Sequence, residues 1–340
     1  MRVGILGYGT YIPAYRIRAE EFVKAWGYFA SPGVTEKAVC GPDEDSLTMA
    51  MEAGLNCLEM TGIAGNRIGA VLMASTSLPY EETTMSVTLA NVMGANMETR
   101  TVDFKDSTRC SAVAMLSAFD FLRSENGDFA LVVGSDSPLA GPDSDLDHPL
   151  GAGAAAYLVG EGEGLAQIEG YFSVQTEFLG VRFRRRGEYH VNSANIPTYE
   201  RFSYANTVSS AARGLLKKLG LSIGDFAYVV PHQPDVQMPY RTMRGLGIDP
   251  MRTVIVADML GDVGSASIML GLSMALEKAK PEDRILLLSQ GSGSGSDAIS
   301  LIVTDEIGKA KCKVKTLAFY LQKKEYIDYV KYLKFRGTIS

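Results

Sequence analysis

Short apolar runs alternate with amphipathic segments along nearly the whole chain. Residues 3–8 (VGILGY), 70–74 (AVLMA), 130–134 (ALVVG), 154–160 (AAAYLVG), 166–172 (AQIEGYF), 226–230 (FAYVV), 254–257 (VIVA), 285–289 (ILLLS) and 298–304 (AISLIVT) have strand length and are bounded by Gly, Ser, Pro or Asp. Residues 20–26, 43–60, 85–93, 206–219 and 238–246 carry apolar side chains at helical spacing. Residues 182–202 form a polar insertion with neither period, and the tail from Lys309 is rich in Lys and Tyr, suited to packing on the surface or docking a partner. Strands alternating with helices predict an α/β protein with buried mixed sheets covered by helices.

The stretch DFKDSTRCSAVAMLSAFDFL, residues 103–122, organises the pattern. Asp106, Ser107 and Thr108 are suited to cap a helix, and Val113, Leu116, Ala118 and Phe121 are spaced as one buried face. Cys110 falls in the first turn, where the positive end of the helix dipole favours a thiolate. The run SAVAML at 111–116 is echoed by SASIML at 265–270, each after a polar loop and before a strand-like run with a Gly/Ser loop. This repeat predicts two halves, 1–165 and 166–340, with both helix starts near a pseudo-symmetry axis. In that register Thr108 and Asp262 are equivalent.

Composition narrows the function classes. A chain of 340 residues with 46% hydrophobic and 21% charged residues is an ordinary globular protein with a large core. A net charge of −6 argues against a general nucleic-acid binder, and no apolar run reaches membrane-spanning length. Met1-Arg2-Val3 runs straight into a strand pattern, so no signal peptide is expected. Cys40, Cys57, Cys110 and Cys312 have neither metal spacing nor a pairing pattern, which predicts a reducing, cytoplasmic setting and no metal. RFRRR at 182–186 is the one basic cluster, read either as a solvated face or as a dock for the phosphates of a nucleotide-bearing substrate.

The segments VGILGYGTYIPAYRI, GPDEDSLTMAMEA, YVVPHQPDV, LGDVGSASIMLGL and QGSGSGSDAISLIVTD together resemble the thiolase superfamily. Within it the chain is most similar to the archaeal type of 3-hydroxy-3-methylglutaryl-CoA synthase and, more distantly, to ketoacyl-ACP synthase III. The likeness covers essentially the whole chain. It implies a five-layered αβαβα fold built from two duplicated halves, no covalently bound cofactor, and a coenzyme A thioester as substrate. The family's chemistry uses a Cys nucleophile at a helix start, a His and an Asn that polarise the thioester carbonyl, and, in the synthase, a Glu that moves a proton.

On this sequence the family histidine falls on His232 and the loop serine on Ser292. The other positions depart. The Asn falls on Asp262, the Glu on Thr76, a Lys after the histidine on Gln237, and in gapless register the nucleophile falls on Thr108 rather than Cys110. Cys110 is then either a small buried hydrophobe or a nucleophile relocated by a local shift. The resemblance therefore implies candidate catalytic residues Cys110, His232 and Asp262, and substrate-binding candidates Thr76, Thr108, Gln237 and Ser292. It also implies acyl-CoA as ligand and assembly as a homodimer. The LGDVGSAS loop resembles the synthase-like subunit of the bacterial phloroglucinol acetyltransferase complex, which implies partners of two kinds: a thiolase-like chain and a small zinc-ribbon/OB-fold protein. Three functions follow: an acyl-CoA-handling subunit that has lost synthase chemistry, an active condensing acyltransferase using Cys110 and His232, or a hydroxymethylglutaryl-CoA synthase.

Overall fold

The computed structural model describes the chain except residues 1, 2, 125, 126, 143, 196, 197, 294 and 311–314 and the side chains of 309 and 310; Cys312 therefore lies outside the described residues. In chain order the first part holds β1 (Val3–Tyr11), β2 (Tyr15–Arg18), α1 (Ala19–Trp26), β3 (Glu36–Val39), α2 (Ser46–Thr61), β4 (Ile68–Ala74), α3 (Met85–Val92), β5 (Arg100–Phe104), α4 (Cys110–Arg123), β6 (Phe129–Asp136) and β7 (Gly153–Glu161). There follow β8 (Ala166–Val174), α5 (Asn206–Leu219), β9 (Tyr228–Pro231), α6 (Gln237–Gly245), α7 (Ala257–Leu260), α8 (Ser267–Lys278), β10 (Arg284–Leu288), β11 (Ser296–Val303), α9 (Ile307–Ala310), α10 (Leu317–Gln322), β12 (Glu325–Tyr326) and α11 (Tyr329–Phe335).

The main sheet runs β5-β4-β6-β7-β1-β8-β11-β10-β9, joined at its middle by a short antiparallel pairing of Gly4 and Ile5 with Gln167 and Ala166. Outward from that seam both sides have the same order. The antiparallel strands β7 and β11 come next, followed by parallel pairs, β6 with β4 and β10 with β9. One apolar cluster joins α4 and α8 to the inner faces of the sheet, a second joins α2 and α3 to one outer face, and a third joins α5 and α6 to the other. Outer helices, one half of the sheet, the α4–α8 pair, the other half of the sheet and the other outer helices thus stack in five layers.

Sandwiching explains a departure from the sequence pattern. Cys110, Ala112, Ala114, Met115, Leu116, Ala118, Phe119 and Leu122 are all buried, while Val113 and Phe121 are only half-buried. A helix covered on two sides has no single buried face. The capping expectation also fails: Arg109 is the N-cap, its backbone is helical and no side chain caps the helix. Residues 254–257 are not a strand either. Val254 donates to the Val229 carbonyl, after which Gln233 Oε1 accepts from Val256 N at 2.7 Å and Ala257 N at 3.1 Å, so a side chain captures the amides that a ladder would use. The sequence pattern missed the edge strand β5 and the small sheet β12-β2-β3.

The tail packs onto the body. Tyr320 of α10 accepts a hydrogen bond from Asn56 at 2.9 Å, and β12 pairs parallel with β2. Under α11 the buried Lys37 ammonium donates to Tyr332 Oη at 2.8 Å and to the Asp147 carbonyl. Tyr332 Oη donates to the Asp147 carboxylate, and Arg336 pairs with that carboxylate. Burial pushes the Lys37 pKa down to about 7, with Asp147 opposing. Among the described residues no helix is long and apolar enough to cross a membrane.

Candidate functional site

The parallel strands β4 and β6 on one side and β9 and β10 on the other end at Ala74, Asp136, Pro231 and Leu288. Helices α4 and α8 start at the same end of the sheet. Their starts meet over Gly134, where an added Cβ would lie 2.5 Å from Met269 Sδ, 3.3 Å from Ser111 Cβ and 3.3 Å from the Ser265 carbonyl. Carboxyl ends of strands facing helix N-termini form the crevice where α/β folds place ligands.

Asp136, missed in the sequence, anchors one side. Its carboxylate is fully buried and accepts five hydrogen bonds. Ser75 Oγ at 2.9 Å, Thr76 N at 2.7 Å and Ser77 Oγ at 2.6 Å donate to Oδ1, while Thr76 Oγ1 at 3.0 Å and Ser265 N at 2.7 Å donate to Oδ2. Both polar groups of Thr76 that can donate are thereby spent on Asp136, and its carbonyl accepts from Arg184. The signal in the sequence was an acid closing a fully apolar strand, ALVVGSD.

Cys110 opens α4 beside this carboxylate and is 3% exposed. Burial raises its thiol pKa well above the ordinary value, and Asp136 raises it further. The thiolate expected from the helix dipole is therefore not favoured. Desolvation and a neighbouring negative charge outweigh a partial positive charge at the helix end.

Across the crevice His232 follows β9, its amide donating to Leu288 O at 2.8 Å and its carbonyl accepting from Tyr204 Oη. The imidazole is buried, which pushes its pKa down to about 4 despite the opposing effect of Asp262; Arg182 pushes the same way as burial. Asp262 is fixed through its backbone, donating to Pro149 O at 2.6 Å and accepting from Gly151 N at 2.9 Å. Its Oδ1 accepts from Gly264 N at 2.9 Å, and its Oδ2 from Arg182 Nη1 at 2.6 Å. The Arg182 amide in turn donates to Ser292 Oγ at 3.2 Å.

Thr108 is buried in the turn before α4, and its hydroxyl donates to Gln290 O at 2.9 Å. Gln290 Oε1 accepts from Tyr199 Oη at 3.0 Å, and Tyr199 feels the charges of Asp262 and Arg182. Arg109 ties α4 to the opposite side, with Nε and Nη2 forking onto Asp297 at 2.6 and 2.7 Å. Two hydrogen-bonded groups, Thr108–Gln290–Tyr199 and Ser292–Arg182–Asp262, thus face each other, and the Asp262 and Arg182 charges act on both Tyr199 and His232. Gln237 stands apart. It is exposed at the start of α6, with its Oε1 accepting from Arg241 at 3.1 Å. Of the basic cluster, Arg182 turns inward onto Asp262, the exposed Arg184 reaches back to the Thr76 carbonyl, and Arg185 pairs with Glu188. A cleft of about 690 Å³ reaches Thr76 and Ser77 from the surface, with Lys105, Arg184, Glu188 and Arg336 on its walls.

Residues 216–302 match the family described as 3-oxoacyl-[acyl-carrier-protein] synthase III, C terminal. The chain is 38% identical to the hydroxymethylglutaryl-CoA synthase of Thermococcus gammatolerans, over 98% of this chain and 96% of that protein. It is 37% identical to the enzyme of the same description from Aeropyrum pernix, over 99% and 94%. Among solved structures, one described as MvaS in complex with 3-hydroxy-3-methylglutaryl coenzyme A superposes with a TM-score of 0.89 at 21% identity, covering 98% of this chain and 91% of that one. The 3-oxoacyl-[acyl-carrier-protein] synthase III from Aquifex aeolicus superposes at 0.79 and 18% identity, covering 88% and 99%.

Proposed function

The chain belongs to the hydroxymethylglutaryl-CoA synthase family of the thiolase superfamily, and from that premise we propose that it is an acyl-CoA-handling subunit that has lost its own synthase chemistry. The observation that carries this reading is the fate of Thr108. Its hydroxyl proton is given to the Gln290 carbonyl, so no base is placed to draw it off, and a hydroxyl is a weak nucleophile without one. Thr76 has no carboxylate to move a proton, and Asp262 is an acceptor already paired with Arg182. Cys110 is the remaining nucleophile near the site, and burial beside Asp136 keeps it a thiol.

The same reading takes residues 1–165 and 166–340 as two repeats, the coenzyme A thioester as a substrate held without a cofactor, and the cytoplasm as location. It includes a homodimer formed at the free edge of β5, where Leu72, Val102, Phe104 and Phe121 line a groove of about 360 Å³. It also includes a complex with a thiolase-like chain and a small zinc-ribbon/OB-fold protein.

The test is incubation of the isolated protein with acetyl-CoA, followed by intact-protein mass spectrometry, alongside calorimetry with coenzyme A. Binding without an acetyl adduct is expected. An adduct on Cys110 that is lost in Cys110→Ser would instead establish a condensing acyltransferase working through Cys110 and His232. Hydroxymethylglutaryl-CoA formed from acetyl-CoA and acetoacetyl-CoA would establish a working synthase.

A further inference from the structure

We propose that Arg182 is the group that grips the acyl carbonyl oxygen in this site, and that Asp262 is a positioning residue that aims it. This rests on the acyl-CoA reading above.

Asp262 itself offers a carbonyl nothing. Its two carboxylate oxygens are occupied by the Gly264 amide and Arg182 Nη1, and an ionised carboxylate has no proton to donate. Both hydrogen bonds and the two backbone bonds of Asp262 hold the carboxylate in one place. It in turn holds the guanidinium, whose own backbone amide is pinned to Ser292.

Arg182 Nη2 is the unspent donor. It is shielded from water and has no hydrogen-bond partner among the described residues. A buried guanidinium N–H without an acceptor is costly, so the site is left one oxygen short. The groups nearby do not supply that oxygen: Tyr199 turns its hydroxyl to Gln290, Ser292 Oγ takes the Arg182 amide, and no described acceptor lies within hydrogen-bond reach of Nη2.

The chemistry of the missing group follows from the charges. The Arg182–Asp262 pair is neutral as a whole, so a second carboxylate would meet the Asp262 charge as well as the guanidinium. A neutral carbonyl whose oxygen carries partial negative charge meets only the N–H dipole and the nearer positive charge. A guanidinium N–H is a strong donor to such an oxygen in a site shielded from water. The ligand class is an acyl thioester, gripped by its carbonyl, in preference to free coenzyme A or to an acyl group ending in a carboxylate.

The experiment uses the full chain with acetyl-CoA labelled with carbon-13 at the thioester carbonyl. Isotope-edited infrared difference spectra report the strength of the hydrogen bond on that oxygen. Calorimetry with acetyl-CoA and with coenzyme A separates grip on the acyl group from grip on the rest. In the wild-type protein the carbonyl band is expected below its position in water. In Arg182→Met it returns to or above that position, with acetyl-CoA affinity down about tenfold or more and coenzyme A affinity unchanged. Arg182→Lys keeps the charge and serves if the Met variant does not fold; its band moves part of the way back. A band in the same place in wild type and either variant, with acetyl-CoA still bound, overturns the proposal while leaving the acyl-CoA reading intact. Failure of the wild-type protein to bind either ligand overturns that reading and this one with it.

Discussion

Gly264 stands so close to Asp136 that a Cβ at that position would lie 2.3 Å from Oδ2, and its backbone sits at φ +55°. The loop before α8 therefore passes over the carboxylate with no room for a side chain. Gly264→Ala is expected to lose about 1–2 kcal/mol to the left-handed backbone alone, and more to the clash. The Ser265 amide bond to Asp136 is the next to suffer. Urea unfolding of the two proteins measures the difference, and equal midpoints would contradict it.

The thiol of Cys110 is expected to resist alkylation in the folded protein near neutral pH. Burial and the Asp136 charge both keep it protonated, and the thiolate is the reactive form. Iodoacetamide followed by peptide mapping, with and without denaturant, reads this directly. Labelling of Cys110 as fast in the native state as in the unfolded one would mean that the site is open and charged.

His232 makes stability depend on pH in a defined direction. Its folded pKa of about 4 lies below its unfolded value of about 6.5, so the unfolded chain binds more protons between those values. The folded state therefore loses stability as pH falls from about 6.5 toward 4, by up to roughly 3 kcal/mol from this group alone. His232→Gln removes that slope. The check is the gap between the two proteins in denaturant midpoint, measured at several pH values, with the wild type falling relative to the variant as the solution is acidified.

Tyr332→Phe tests the buried cluster under α11. The hydroxyl accepts from Lys37 and donates to Asp147, and its loss leaves buried charges short of partners. A cost of roughly 1–3 kcal/mol is expected, with faster proteolytic cutting near the tail. Unchanged melting and an unchanged digestion pattern would show that the tail is held by apolar packing alone.

Most of the layered fold was legible because fully buried strands and sandwiched helices must be apolar. Helix α5 was placed at residues 206–219 from spacing alone, and the apolar runs locate β1, β4, β6, β7, β8, β10 and β11. What was not legible has physical reasons. Strand β5 lies on a sheet edge, so RTVDF is only half-buried and lacks an apolar run. The run VIVA looked like a strand, but the Gln233 side chain takes two of its amides, a contact that no local pattern reports.

The site divides in the same way. His232 was singled out by its motif and Ser292 by its loop; Arg182 hydrogen-bonds both Ser292 and Asp262, and the charges of Asp262 and Arg182 act on the His232 imidazole. Arg182 was seen only as part of a charge cluster, because pairing across 80 positions leaves no local trace. Asp136 was hidden because a polar residue at the end of an apolar strand also reads as the start of a loop.

Strand β1 lies at the middle of the sheet although its partners come far later in the chain. Its two neighbours are β7, which begins at Gly153, and β8, which begins at Ala166. On a ribosome adding roughly 5–20 residues per second, β1 waits on the order of 10–30 s for its first partner. Throughout that time a strand buried along most of its length in the finished protein has its backbone groups unpaired. Nascent chains that have not yet extended through β7 should therefore stay sticky and engage holdase chaperones. Slower synthesis through the first half prolongs that exposure rather than helping it fold.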